Sequence, residues 1–212
     1  EWEAPGGEEP TAGPTAPAVN PATDIAEINI LFLAANPRDI TRLRVDEECR
    51  KIEKALERSK YREKIHLISK GAVQIPDLRR ALMDHSPNIL HFSGHGSELG
   101  RIYLEDASGN GREVPVEALA NLLRLFKEQL KCVVLNACYS EIQADEIVKY
   151  GIPVIGMTTK VPDKAGIEFS EAFYDALGAG KDLDFAFELG CSAISMADLP
   201  GAEAIPVLKK PA

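Results

Sequence analysis

The chain has 212 residues, of which 45% are hydrophobic and 27% are charged, with a formal net charge of −9 and a pI of about 5.0. This composition is typical of a globular protein, and the length suits one domain with a full hydrophobic core. The acidic balance argues against direct binding of nucleic-acid phosphates, and the lack of a long apolar run argues against a membrane-spanning helix.

The four cysteines are widely spaced, and no two of them form a C-x-x-C pair. This spacing argues against a zinc site or a redox-active dithiol, so we expect no metal, no cofactor and a reducing, cytoplasmic location. No basic segment followed by an apolar stretch marks a secretory signal. The chain begins at Glu1 rather than at methionine, and we expect it to be part of a longer protein.

Residues 1–25 are predicted to be a disordered linker rich in proline, alanine and glycine. The segment has almost no large apolar side chain, so it buries too little surface to offset the entropy lost on ordering. We expect it to tether the folded domain, predicted at residues 26–210, to a segment upstream.

The folded part alternates short apolar strands with amphipathic helices. The predicted strands cover residues 28–34, 65–68, 88–92, 132–135, 152–157 and 205–208, and a β-hairpin covers 102–114. The predicted helices cover residues 42–58, 75–83, 115–129, 141–150, 163–177 and 182–196. The alternation predicts an α/β fold in which a mostly parallel sheet of about six strands carries helices on both faces. The charged residues of the first helix, Arg44 and Glu48 among them, are predicted to form a solvated face.

Two of the predicted strands are followed by residues whose side chains could take part in catalysis. The strand at 88–92 runs into Ser-Gly-His-Gly, which contains His95, and the strand at 132–135 runs into Asn-Ala-Cys, which ends in Cys138. The carboxyl ends of parallel strands meet at one edge of a sheet, where open α/β sheets place their sites. We therefore expect His95 and Cys138 to lie together.

A thiol next to a histidine is a potential nucleophile, because the imidazole takes the thiol proton as a general base. The helix predicted at 141–150, just after Cys138, would also favour its thiolate. The backbone N–H groups of Gly96 and Cys138 are the candidates for an oxyanion hole, which needs two such donors. On the residues alone, a buried structural cysteine and an ordinary loop histidine remain the alternative interpretation.

The segment His91–Gly96, followed later by Val134–Ser140, resembles the CHAT family of caspase-like cysteine peptidases, which is related to separase and gingipain. The resemblance extends over residues 28–208. It implies a caspase-like fold, Cys138 as nucleophile, His95 as base, and an oxyanion hole formed by Gly96 and Cys138. It further implies a bacterial signalling or defence pathway in which the endopeptidase cuts a protein partner and is gated by an attached sensor, scaffold or partner domain.

The resemblance also points to two substrate-binding residues. In this clan the residue two before the nucleophile lines the pocket for the side chain that precedes the cut, and here that residue is the neutral Asn136. The acid of metacaspases and the glutamine of caspases are both absent at this position. Asp163 is similar to a separase acid that receives a basic side chain, and it would favour cleavage after Arg or Lys. Capping of the helix that begins at Asp163 is the alternative role.

Two other classes of function stay open on the sequence. One is a catalytically silent caspase-like module used only for binding, against which the intact pair of His95 and Cys138 argues. The other is a TIR-like nucleotide-processing domain, which would need a catalytic glutamate that no motif singles out. The chain has neither a G-x-G-x-x-G motif nor a P-loop.

Overall fold

A computed structural model describes residues 26–212 of the chain, so the predicted linker lies outside the described residues. The strands are β1 (Ile28–Ala34), β2 (Ile65–Lys70), β3 (Ile89–Ser93), β4 (Ile102–Glu105), β5 (Gly111–Val114), β6 (Cys132–Asn136), β7 (Val154–Met157) and β8 (Pro206–Lys209). The helices are α1 (Val45–Glu57), α2 (Ile75–His85), α3 (Val116–Arg124), α4 (Glu141–Ile147), α5 (Asp163–Gly178) and α6 (Leu183–Met196). In residues 26–212 we find no helix with the length and apolar character needed to cross a membrane.

Six strands form one sheet in the order β2-β1-β3-β6-β7-β8, and β4 and β5 pair as the predicted hairpin. The first five strands of the sheet are parallel, whereas β8 runs antiparallel to β7 at the edge. The prediction of a mostly parallel α/β sheet is therefore confirmed. Pro206 begins the edge strand, where a missing backbone N–H costs the ladder least.

Helices cover both faces of the sheet. On one face α2, α3 and α4 pack against side chains such as Leu31 and Leu33, and on the other α1, α5 and α6 pack against Ile30 and Phe32. Because neither face meets water, β1 is apolar on nearly every residue instead of alternating with polar positions.

The strand register brings the two predicted site segments together. The parallel strands β3 and β6 pair with Ser93 opposite Asn136, so both strands end at the same level of the sheet. His95 and Cys138 each follow two residues after this pair, and the topology thus delivers both to one edge.

The start of α1 differs from the prediction. Helix α1 begins at Val45 rather than at residue 42, because the Asn36 side chain holds the backbone of Leu43 outside the helix with two hydrogen bonds of 2.9 and 3.1 Å. Helix α4 begins at Glu141, as predicted, and a turn separates it from Cys138. The intervening Tyr139 has a φ of +57°, a left-handed conformation that an α-helix cannot contain.

Candidate active site

His95 and Cys138 line one small pocket of about 40 Å³ at the carboxyl edge of the sheet. The pocket therefore brings together the two residues that the sequence analysis paired. The other lining residues are Leu43, Glu48, Ser93, Gly94, Asn136, Val161 and Asp163.

Cys138 is half-buried in a tight turn between β6 and α4. The next residue, Tyr139, carries the positive φ of the turn, and its N–H donates to the carbonyl of Thr159 at 3.2 Å. Such conformations are costly for residues other than glycine and persist where the surroundings enforce them, which is common at functional sites. Helix α4 starts three residues after Cys138, at Glu141, and the support of a Cys138 thiolate by this helix stays a prediction.

Ser140 holds this turn against the ends of β6 and β7. Its hydroxyl donates to the carbonyl of Leu135 at 2.7 Å and accepts from the N–H of Met157 at 2.9 Å. The hydroxyl thus joins the ends of β6 and β7, and it makes no capping hydrogen bond to α4. The hydroxyl already has an acceptor and a donor at the strand ends and is not available as a cap.

The imidazole of His95 is half-buried and held on one side only. Its Nε2 atom is buried without a hydrogen-bond partner in the described residues, whereas a hydrogen bond with the backbone of Thr41 favours the protonated ring. A neutral ring with its proton on Nδ1 presents Nε2 as a proton acceptor. Burial lowers the pKa of His95 below its usual value, against the opposing effects of the Thr41 hydrogen bond and the charge of Asp163.

The loop that contains Thr41 is fixed by Asn36. The Asn36 side chain pairs with both backbone groups of Leu43. The backbone N–H of Asn36 donates to the Glu105 carboxylate on the hairpin at 3.0 Å. Sequence reasoning missed this support. The available signal was a polar residue at the carboxyl end of β1, the same strand-end position that identified His95 and Cys138.

Gly96 lets the histidine loop pass against the nucleophile. A Cβ atom at this position would lie 2.0 Å from the carbonyl oxygen of Cys138, so no other residue fits without movement. Gly96 faces Ile102 in an antiparallel bridge whose hydrogen bonds come from Ser97 and Tyr103. The N–H of Gly96 and that of Cys138 have no acceptor within residues 26–212.

Asn136 lines the pocket but its amide is already engaged. Its Nδ2 donates to Oε1 of Glu48 at 2.7 Å, and the side chain lies against Gly166 of α5, where a Cβ would be 2.6 Å from Nδ2. Asn136 as a whole is only 8% exposed. Asn136 therefore shapes one wall of the pocket and leaves little of its amide for a ligand.

Asp163 is the first residue of α5, and its carboxylate does not cap that helix. The carboxylate accepts a hydrogen bond from Nε of Arg44 at 2.7 Å, while Pro162 occupies the capping position. The side chains are 53% exposed for Arg44 and 33% exposed for Asp163. The capping alternative is thus wrong, and the carboxylate on the pocket wall holds a guanidinium.

Glu48 contradicts the predicted solvated face of α1, because it is only 3% exposed. Its carboxylate accepts four hydrogen bonds, which come from His91 Nε2, Ser93 Oγ, Asn136 Nδ2 and Ser170 Oγ. Burial alone would raise the pKa of Glu48, but the interaction with His91 and the two hydroxyl donors outweigh it and lower the pKa. The signal was in the sequence, since Glu48 lies one helical turn after Val45 and one before Ile52, on the apolar side of α1.

The model of the CHAT domain family matches residues 15–189 of the chain. The chain belongs to the CHAT family. The match begins inside the segment predicted as a linker and runs through the site just described.

Three relatives of this CHAT domain carry the word protease in their names. A Roc-COR-CHAT protease from an unknown prokaryotic organism is 27% identical over 181 residues, which cover 81% of this chain and 17% of that protein. A Roc-COR-CHAT protease from Runella zeae is 27% identical over 179 residues, covering 78% and 18%, respectively. A probable protease from Gillisia limnaea is 27% identical over 169 residues, which cover 78% of this chain and 30% of that protein. The chain spans less than a third of the length of these curated relatives.

The fold of the CHAT domain resembles that of caspase-1 from Spodoptera frugiperda. The TM-score is 0.57 at 12% sequence identity, and the similarity covers 87% of this chain and 86% of the caspase chain. The predicted caspase-like fold is thus confirmed.

Proposed function

We propose that this CHAT domain is a cysteine endopeptidase in which Cys138 is the nucleophile and His95 is the general base. The observation that carries the proposal is the shared pocket, in which the Nε2 atom of His95 has no hydrogen-bond partner among residues 26–212. The names of the three relatives support the same class of reaction. A binding-only module would need neither a free imidazole nitrogen nor a thiol in the same pocket.

The reaction follows from the roles of four atoms. Nε2 of His95 takes the proton of the Cys138 thiol, and Sγ attacks the carbonyl carbon of the scissile peptide bond. The N–H groups of Gly96 and Cys138 donate to the oxyanion that forms. Collapse of this intermediate breaks the C–N bond, and His95 returns its proton to the leaving amine. A water molecule deprotonated by His95 then hydrolyses the thioester, which releases the carboxylic acid and restores the thiol.

The pH profile should reflect the burial of His95. Because burial lowers the pKa of His95, the ring stays neutral, and able to accept a proton, at pH values below the usual range for histidine. We expect the acid limb of kcat/KM to lie below the ordinary histidine pKa, so activity is lost only as the pH falls through this depressed value. The measurement is kcat/KM for a peptide substrate across the acid range. An acid limb above the ordinary value would contradict the assignment.

We further propose that the enzyme cuts after a basic residue, with Asp163 as the acid that receives it and Asn136 as a wall of the same pocket. In support, Asp163 lines the pocket that contains Cys138 and already binds a guanidinium, that of Arg44. The same chemistry would bind an arginine of a protein substrate, which would have to displace Arg44. Because water reaches both side chains and screens their attraction, the pair between Arg44 and Asp163 is weak.

Regulation is the remaining part of the proposal. We infer that an attached sensor, scaffold or partner domain gates the site by ordering the loops at 97–101 and 158–163, in a bacterial signalling or defence pathway in the cytoplasm. In support, the pocket measures only about 40 Å³, Leu99 in the first loop is 64% exposed, and the relatives are several times longer than this chain.

The gating proposal predicts that residues 1–212 alone are less active than the intact protein after its stimulus. The reason is that the isolated domain lacks the surface that would order the two loops. The check is kcat/KM of both proteins toward one substrate, with the stimulus present and absent. Equal activity of the isolated domain and the stimulated intact protein would contradict the gate.

A further inference from the structure

One buried carboxylate contacts the strand ends that lead to both members of the proposed dyad. Glu48 Oε2 accepts from the hydroxyl of Ser93 at 2.5 Å, and Oε1 accepts from the amide of Asn136 at 2.7 Å. Ser93 lies two residues before His95, and Asn136 lies two residues before Cys138. These two residues also face each other in the register of β3 and β6. A single side chain from α1 therefore joins equivalent points of the two site segments.

The carboxylate is itself held firmly. His91, which is fully buried in β3, contacts Oε1 through Nε2 at 3.0 Å and the hydroxyl of Tyr174 through Nδ1 at 3.1 Å. If the Tyr174 hydroxyl donates to Nδ1 of His91, then Nε2 carries the proton and donates to Glu48. Tyr174, His91 and Glu48 are then all paired with one another in sequence. Ser170 of α5 adds a fourth donor at 2.6 Å. Saturated buried networks of this kind rigidify their surroundings, whereas half-satisfied ones are costly.

Beyond the strand ends, few other links join the two site segments. The N–H of Gly94 donates to the carbonyl of Asn136 at 3.2 Å, and Gly96 packs against the backbone of Cys138. Neither contact fixes the separation of the two strand ends from the side of α1. The carboxylate of Glu48 does so, because Oε2 binds Ser93 of β3 while Oε1 binds Asn136 of β6 and His91 of β3.

We propose that Glu48 is a positioning residue that fixes the imidazole of His95 against the thiol of Cys138 by clamping Ser93 and Asn136. This inference rests on the proposed peptidase function. Glu48 takes no part in bond making or breaking. It acts by holding the strand ends, because a displacement of about 1 Å at reacting groups costs roughly a hundredfold in rate.

The structure offers a matched pair of variants that separates positioning from stability. Ser93→Ala and Ser170→Ala each remove a buried hydroxyl that donates to Glu48, but only Ser93 leads to a member of the dyad. In the intact protein, we expect Ser93→Ala to lower kcat about 10- to 100-fold and to change KM less than about threefold. Ser170→Ala should lower the melting temperature about as much as Ser93→Ala does, but it should keep kcat within about threefold of wild type.

A second variant and a second readout address Glu48 directly. In the folded intact protein, Glu48→Gln should lower kcat at least as much as Ser93→Ala. The readout that a merely structural role would not move is alkylation of Cys138 by iodoacetamide across the pH range. In wild type the rate should show a step that His95→Ala removes, and Glu48→Gln should weaken or remove the same step. Where Glu48→Gln does not fold, the pair of serine variants decides the question.

The outcomes are distinguishable from failure of the peptidase proposal. Equal losses of kcat in Ser93→Ala and Ser170→Ala would overturn the positioning role, as would a wild-type kcat and alkylation profile in Glu48→Gln. If the alkylation rate of Cys138 in wild type does not depend on His95, the proposed dyad itself is contradicted. The positioning role of Glu48 is then contradicted as well.

Discussion

Replacement of Cys138 by alanine is expected to abolish peptide cleavage, and His95→Ala is expected to lower kcat by about 10²- to 10⁴-fold. The first change removes the atom that attacks the peptide carbonyl. The second removes a proton acceptor of the pocket, the Nε2 atom that has no hydrogen-bond partner within residues 26–212. The measurement is kcat/KM of the stimulated intact protein toward a peptide reporter.

Cys191 provides the matched control for Cys138. It is also half-buried, but it lies on α6 away from the pocket, and burial raises the pKa of its thiol to about 11. Such a thiol is a poor nucleophile at neutral pH. Cys191→Ala should therefore keep the wild-type kcat. Cleavage that survives in Cys138→Ala would contradict the proposed chemistry, because no other residue of the pocket carries a thiol.

Asp163→Asn is expected to lower kcat/KM for substrates with arginine before the cut by about 10- to 100-fold, because a charge-assisted hydrogen bond is lost. Substrates with alanine at that position should change little. Arg44→Ala should have the opposite effect on arginine substrates and raise kcat/KM up to about fivefold, since the exposed pair that it breaks is weak. The measurement compares reporters that differ only in the residue before the cut.

Lys51 supplies the control for Arg44. It forms ion pairs with Glu168 and Glu171 at 3.0 Å each and so also joins the first helical region to α5, but it does not line the pocket. Lys51→Ala should leave the ratio of arginine to alanine cleavage unchanged. The basic preference would be contradicted by equal cleavage of arginine, alanine and aspartate reporters by wild type, or by an unchanged ratio in Asp163→Asn.

The sheet and the meeting of His95 with Cys138 were predictable because they depend on local patterns. Continuous apolar runs such as Ile28–Ala34 identify strands that are buried on both faces. Parallel strands then place their carboxyl ends at one edge, which brings together residues distant in sequence. Neither step requires knowledge of how side chains pack.

The features of the site that could not be predicted from the sequence depend on contacts between distant elements. Glu48 stands in a run of charged residues, and nothing in that run shows that donors from β3, β6 and α5 converge on its carboxylate. The backbone of Thr41 has no side-chain signature at all. Arg44 and Asp163 lie 119 residues apart, so their pairing could not be read from either segment. The left-handed turn at Tyr139 was not predictable either, because helix propensity does not reveal such a residue.

The most direct test of a catalytic dyad is labelling by a peptidyl electrophile with arginine next to the reactive group, applied to wild type, Cys138→Ala and His95→Ala. Aspartate and leucine versions of the probe run alongside, and the intact protein is tested with its stimulus. Our account predicts labelling of wild type at Cys138, strongest with the arginine probe, and none or very little in either variant. Labelling that persists in Cys138→Ala, or equal labelling of wild type and His95→Ala, would contradict it.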